Sequence, residues 1–117
     1  MKKKILVIDD DVIIRDYLVS IFKDNGYDVY AAGDAEQGLE LARKHKPDLI
    51  TLDIELPGEW GPRFFYKLTK DQALKKIPVI VISGLPGYQC AVVNSVASFP
   101  KPFDRDSLMK TIRETLS

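Results

Sequence analysis

The sequence predicts a doubly wound α/β fold, a five-stranded parallel sheet with helices on both faces. The first observation behind this is a set of short apolar runs that each end abruptly in a polar residue. Ile5-Leu6-Val7-Ile8 breaks into Asp9-Asp10-Asp11, the run from Asp48 to Leu52 into Asp53, and Ile77-Pro78-Val79-Ile80-Val81-Ile82 into Ser83-Gly84. Runs that are apolar throughout, rather than alternating, fit strands buried on both faces. The second is that the segments between them carry apolar residues three and four apart, the spacing of helix faces. The third is length: 117 residues without a repeat, linker or low-complexity stretch fit one domain, 1–117.

After the first strand, Ile14, Leu18, Ile21 and Phe22 mark a helix face, with Asp11 as its cap and Gly26 as its stop. Asp28 to Ala32 alternates weakly and reads as the second strand. Asp34-Ala35-Glu36-Gln37 has the spacing of a capping box, opening a helix that carries Leu39 and Ala42 inward before Pro47. The third strand then delivers Asp53 to its C-terminal tip. Pro57-Gly58 reads as a turn, and Gly61-Pro62 starts a helix whose apolar side is Phe64, Phe65 and Leu68. Pro78 stands at the start of the fourth strand, where a missing ladder donor matters least. From Leu85 to Phe99 the pattern is poor, with room for two helical turns and a short strand around Val96 to Phe99. Asp104 caps a last helix with Leu108, Ile112 and Leu116 at intervals of four. Five strands thus alternate with five helices.

Of the two common orders for such sheets, the flavodoxin-like 2-1-3-4-5 suits five strands. A nucleotide-binding version needs a glycine-rich loop after strand one, and Asp9-Asp10-Asp11 opposes that in charge and shape. NAD, ATP and flavin phosphates are therefore excluded. Seventeen basic and seventeen acidic side chains leave no electrostatic footprint for nucleic acid or a membrane surface. Cys90, the one cysteine, allows neither an internal disulfide nor a thiolate metal cluster and reads as a small core residue in a reducing compartment. Met1-Lys2-Lys3-Lys4 resembles the start of a signal peptide, but the apolar run behind it is too short and is cut off by acids. A cytoplasmic location is expected.

In the chosen order, strands one, three and four are neighbours, so their tips bring Asp9, Asp10, Asp53 and Ser83 into one acidic pocket beyond the carboxyl ends of the sheet. Two unit charges about 4 Å apart repel by roughly 4 kcal/mol at an effective dielectric near 20, so the cluster should recruit a divalent cation. All-oxygen ligands of this kind suit Mg²⁺ or Mn²⁺. A solvated acidic turn accounts for Asp11. Asp53 taken alone would also read as a loop aspartate capping the next helix.

Paired acids after strand one, an aspartate after strand three, a hydroxyl after strand four and Lys101-Pro102 after strand five together resemble the receiver domains of two-component response regulators, of the chemotaxis-regulator kind. Pro57, Gly58, Gly61 and Phe103 match as well, and the resemblance covers essentially the whole chain. It implies that Asp53 accepts a phosphoryl group from a histidine kinase, a histidine phosphotransfer protein or a small phosphodonor. It also implies that Asp9 and Asp10 hold Mg²⁺ directly or through water, that the Glu55 backbone carbonyl is the remaining protein ligand, and that Lys101 and the Ser83 hydroxyl bind phosphoryl oxygens. Such a domain catalyses only its own phosphorylation and dephosphorylation. It acts through a downstream protein target or output domain, in a bacterial cytoplasm, with a homodimer also allowed. His45 reads as a surface residue rather than a donor. Prolines on both sides limit the Lys101 backbone. By the same resemblance Lys101-Pro102 is expected to be cis and Phe99-Pro100 trans, with Pro100 tolerated on an edge strand.

The chain departs from the family between Ser83 and Lys101, an interval a few residues shorter than usual. The family's switch aromatic lies three residues before the lysine, where this chain has Ser98, while Phe99 lies two before it. A shift of one residue turns a strand side chain to the other face. Either the deletion restores Phe99 to the switch position or the aromatic switch is missing. Two function classes follow: a phosphorylation-dependent switch, and a non-switching interaction module of the same fold. A Mg²⁺-dependent phosphatase with an aspartyl nucleophile fits less well, because the acid/base aspartate it needs two positions on is replaced by Glu55.

Overall fold

A computed structural model of the chain describes residues 2–53, 55–56, 59–84 and 97–117. Five strands, β1 (Lys4–Ile8), β2 (Asp28–Ala32), β3 (Leu49–Leu52), β4 (Val79–Ser83) and β5 (Ala97–Pro100), form one parallel sheet in the order β2-β1-β3-β4-β5. This is the expected 2-1-3-4-5 arrangement. The strands pair nearly flush at their C-terminal ends: Ile8 opposite Leu52, Leu52 opposite Val81, and Ser83 opposite Pro100. That register brings Asp9, Asp53 and Ser83 to one edge of the sheet.

Four helices lie among the described residues: α1 (Val12–Asp24), α2 (Ala35–His45), α3 (Gly61–Lys70) and α4 (Arg105–Leu116). Alternate strand residues face opposite ways and build two cores. Leu6, Ile8, Ile50 and Leu52 pack with Ala35, Ala42, Phe64 and Leu68 of α2 and α3. Ile5, Val7, Leu49, Ile80 and Ile82 pack with Leu18, Ile21, Phe22 of α1 and Leu108, Met109, Ile112 of α4. At roughly 25 cal/mol per Å² of apolar surface removed from water, these two layers hold the strand tips in place.

Helix ends follow the local signals. The Asp11 carboxylate accepts from the N–H groups of Ile13 and Ile14 at 3.0 and 3.4 Å, satisfying two of the donors a helix start leaves open. Gly26, at φ +89°, turns the chain out of α1. Asp34 accepts from the Gln37 N–H at 2.8 Å, but the returning Gln37 side chain accepts from the Gly33 N–H at 3.2 Å, one residue earlier than in a standard capping box. Asp104 accepts from the Asp106 N–H at 3.2 Å and from the Ser107 hydroxyl at 2.8 Å. α2 lies close on β1, because a Cβ placed on Gly38 would come within 2.8 Å of Ile8 Cδ1.

Some features depart from the sequence reading. Glu55–Leu56 and Glu59–Trp60 pair antiparallel as a small hairpin, where only a turn was expected. β5 runs to Pro100, one residue beyond the expected end at Phe99, and Val96, its expected start, lies outside the described residues. Leu74, absent from the predicted core, is buried beneath the turn after α3. The expected helix between β4 and β5, and Cys90, fall outside the described residues. Among those described, no helix is long and apolar enough to cross a membrane.

Candidate functional site

The C-terminal edge of the sheet carries the site. β1 ends at Ile8, whose carbonyl accepts from the Asp53 N–H at 3.0 Å, while the Asp9 N–H donates to Ala32 O at 3.1 Å. These two ladder-like bonds fix Asp9 and Asp53 side by side beyond adjacent strands. Asp9 and Asp53 are buried, Asp10 is exposed, and one carboxylate oxygen from each lies within 4.8 Å of the others. The three acids that the sequence grouped are therefore together. The donor set is all oxygen and carries up to three negative charges, which fits a hard divalent cation such as Mg²⁺.

Lys101 reaches this cluster from β5. Its N–H donates to the Ser83 carbonyl at 3.1 Å, continuing the β4–β5 pairing by one residue. Its Nζ lies 2.7 Å from Asp9 Oδ2 and 3.2 Å from Asp53 Oδ2. The resemblance assigned Lys101 to phosphoryl oxygens on Asp53 and did not anticipate the shorter contact to Asp9. Lys101-Pro102 is cis and Phe99-Pro100 is not, as expected. Ser83 is fully buried at the end of β4. A Cβ on Gly84 would lie 3.7 Å from Lys101 Cβ, an ordinary contact, so the glycine is not required by space against Lys101. Glu55 is exposed and its carboxylate lies outside the acid group, but its N–H donates to Asp53 Oδ1 at 3.1 Å.

Burial pushes the Asp9 carboxyl above its ordinary range, and the Asp53 charge adds to this, against the opposing pull of Lys101 and the Asp11 N–H. For Lys101, burial alone would lower the ammonium pKa. The hydrogen bond to Asp9 and the charges of Asp53 and Asp9 outweigh it, so the net shift is upward and the lysine stays charged. The site is thus a buried acid pair clamped by one cation.

The register of β5 sets which way Ser98 and Phe99 face. Phe99 pairs with Ile82 and, partly buried, packs against the core shared by α1 and α4. Ser98, paired with Val81, is turned to the opposite face. Phe99 therefore does not share the facing of Ser98, the residue three before Lys101.

One contact near the site had no sequence signal. Arg15, on α1, donates from Nη1 to the backbone carbonyl of Asp9 at 3.0 Å. Its three-residue offset from Val12 marks only a helix position, and a side chain bonding to a backbone carbonyl leaves no residue-type signature in a sequence.

Comparison with known proteins agrees with this geometry. The family model of the response regulator receiver domain matches residues 5–113. Protein Rrf1 of Nitratidesulfovibrio vulgaris is 33% identical over 117 residues, covering 100% of this chain and 85% of that protein. Sporulation initiation phosphotransferase F of Bacillus subtilis is 30% identical, with 99% of this chain and 95% of that protein covered. Among solved structures, the chemotaxis response regulator CheY4 of Vibrio cholerae superposes with a TM-score of 0.89 at 26% identity, covering 99% of this chain and 100% of that one. By motif, topology and full-length similarity, the chain belongs to the response regulator receiver domain family.

Proposed function

We propose that residues 1–117 act as one Mg²⁺-dependent phosphoacceptor unit in which Asp53 is the nucleophile. The observation that carries this reading is the convergence of Asp9, Asp10 and Asp53 within 4.8 Å with Lys101 Nζ between Asp9 and Asp53. Asp9, Asp10, Asp53 and the Glu55 carbonyl are the groups that would hold the cation, and Mn²⁺ would serve as well. When bound, Mg²⁺ supplies positive charge against the oxygens of the transferred phosphoryl group.

The chain's own residues perform the transfer. Asp53 Oδ attacks phosphorus of a phosphohistidine on a kinase or phosphotransfer protein. An O–P bond forms, the N–P bond breaks, and the imidazole leaves with the electron pair and takes a proton from solvent. Lys101, already beside Asp53, pairs with a phosphoryl oxygen, and the Ser83 hydroxyl donates to another. Burial of Asp53 keeps bulk water from the acyl phosphate. The added charge on Asp53 draws Lys101 and Ser83 toward it and biases a two-state equilibrium read by a downstream protein or output domain. The activity is confined to the domain's own phosphorylation, and the cytoplasm is its proposed location.

A second reading, a module that does not switch, is favoured by one observation: the aromatic Phe99, partly buried, packs against the core of α1 and α4, while the residue three before Lys101, on the other face of the strand, is Ser98. Incubation with Mg²⁺ and labelled acetyl phosphate tests the first reading. The expected product is a hydroxylamine-labile phosphate on Asp53 that is absent from Asp53→Asn. Equal labelling of Asp53→Asn moves the nucleophile elsewhere, and no labelling of either leaves the interaction module.

A further inference from the structure

Asp10 is the one acid of the cluster whose side chain is held by no described residue. It is exposed, and among the described residues its carboxylate accepts no hydrogen bond. Its direction therefore depends on its own backbone, and both peptide groups that flank it are pinned. The Asp10–Asp11 peptide is held because the Asp11 N–H donates to Asp9 Oδ1 at 2.9 Å. The Asp9–Asp10 peptide is held because its carbonyl, Asp9 O, accepts from Arg15 Nη1 at 3.0 Å. The Arg15 backbone is itself fixed in the first turn of α1, where its N–H donates to Asp11 O at 2.9 Å. The guanidinium lies over the turn that follows β2, since a Cβ on Gly33 would come within 2.7 Å of Nη1. At salt-bridge distance Arg15 pairs with no carboxylate among the described residues.

We infer that Arg15 is a positioning residue for the divalent cation: by fixing the plane of the Asp9–Asp10 peptide it aims the Asp10 carboxylate at the site. The inference rests on the metal-binding reading of Asp9, Asp10 and Asp53 given above. Groups that orient a ligand from behind typically change metal affinity by about ten- to a hundredfold when removed. The sign separates this role from a purely electrostatic one. A guanidinium near a cation site repels the cation, so deleting it as a mere charge would tighten binding. Deleting it as a support loosens binding.

The test is Mn²⁺ binding to the full chain, read by the free-ion electron paramagnetic resonance signal, for Arg15→Ala, Arg15→Lys and Gly33→Ala. Gly33→Ala keeps the arginine and its charge but pushes the guanidinium off the carbonyl, and the clash falls on the movable end of a side chain, so the fold survives it. Both Arg15→Ala and Gly33→Ala are expected to weaken Mn²⁺ by about tenfold, with Arg15→Lys recovering part of the loss. In an Asp10→Asn background, Arg15→Ala is expected to weaken binding no further, because the ligand it aims is gone. Phosphorylation by acetyl phosphate is expected to need more Mg²⁺ in Gly33→Ala yet reach the parent rate at saturation. Unchanged or tighter Mn²⁺ binding in Arg15→Ala and Gly33→Ala overturns the inference, as does an undiminished further loss in the Asp10→Asn background. If Asp10→Asn alone leaves Mn²⁺ affinity unchanged, it is the metal site itself that falls.

Discussion

Lys101 Nζ sits nearer to Asp9 than to Asp53, 2.7 Å from Asp9 Oδ2 against 3.2 Å from Asp53 Oδ2. The lysine therefore balances the buried acid of the metal-binding turn as well as the acid assigned as nucleophile. Asp9 is only 2% exposed, so it depends on this partner more than a surface carboxylate would.

Replacing the lysine exposes that dependence. Lys101→Met is expected to destabilise the cation-free chain by up to about 3 kcal/mol, the lower end for breaking a buried pair, because Asp9 can relieve the loss by taking a proton. Saturating Mg²⁺ should return much of the lost stability by mass action. Urea unfolding with EDTA and with Mg²⁺ checks this, and equal losses in both would contradict the shared-cation geometry.

The same pair gives a dependence on pH. Burial raises the folded Asp9 carboxyl above its ordinary 3.8, so the folded chain binds that proton more tightly than the unfolded chain. Asp9's contribution to stability is then complete below 3.8 and is lost as pH rises through its higher folded value. Lys101 is raised above 10.5, so its contribution is complete below that value and is lost as pH climbs through the folded one. Unfolding midpoints in EDTA for the parent and Asp9→Asn should differ increasingly as pH rises from about 4, in favour of Asp9→Asn. A difference that does not vary with pH would contradict the burial-driven shift.

β5 offers a separate test. Phe99→Ala should cost about 1–2 kcal/mol, because the ring is partly buried against the core shared by α1 and α4. Ser98→Ala, on the other face, should stay within about 0.5 kcal/mol. If Ser98→Ala proves the costlier in urea unfolding, the assigned facing of the strand is wrong.

Packing of α2 on β1 predicts coupling between two positions. Gly38→Ala gains about 1 kcal/mol of helix propensity but meets Ile8 Cδ1 at 2.8 Å and Cγ1 at 3.2 Å. Overpacking of about 1–3 kcal/mol should outweigh the gain. In Ile8→Val, which lacks Cδ1, Gly38→Ala should be neutral or stabilising. Additive effects in the double-mutant cycle would rule out this contact as the cause.

The sequence by itself determined the five strands of the sheet and their polar tips, because these depend on local pattern, while their order was only a choice between two common arrangements that the fold then settled. Runs such as Val79 to Ile82 can be satisfied only by burial on both faces, and Asp11, Asp34 and Asp104 cap helices through donors two or three residues away. The grouping of Asp9, Asp10 and Asp53 followed from strand order alone. Tertiary structure decided what depends on register and reach. The closer contact of Lys101 with Asp9, the packing of Phe99 against the core between α1 and α4, and the bond from Arg15 to the Asp9 carbonyl each join segments that carry no record of one another. A long side chain finds its partner by distance and direction in the folded chain, and residue spacing encodes neither.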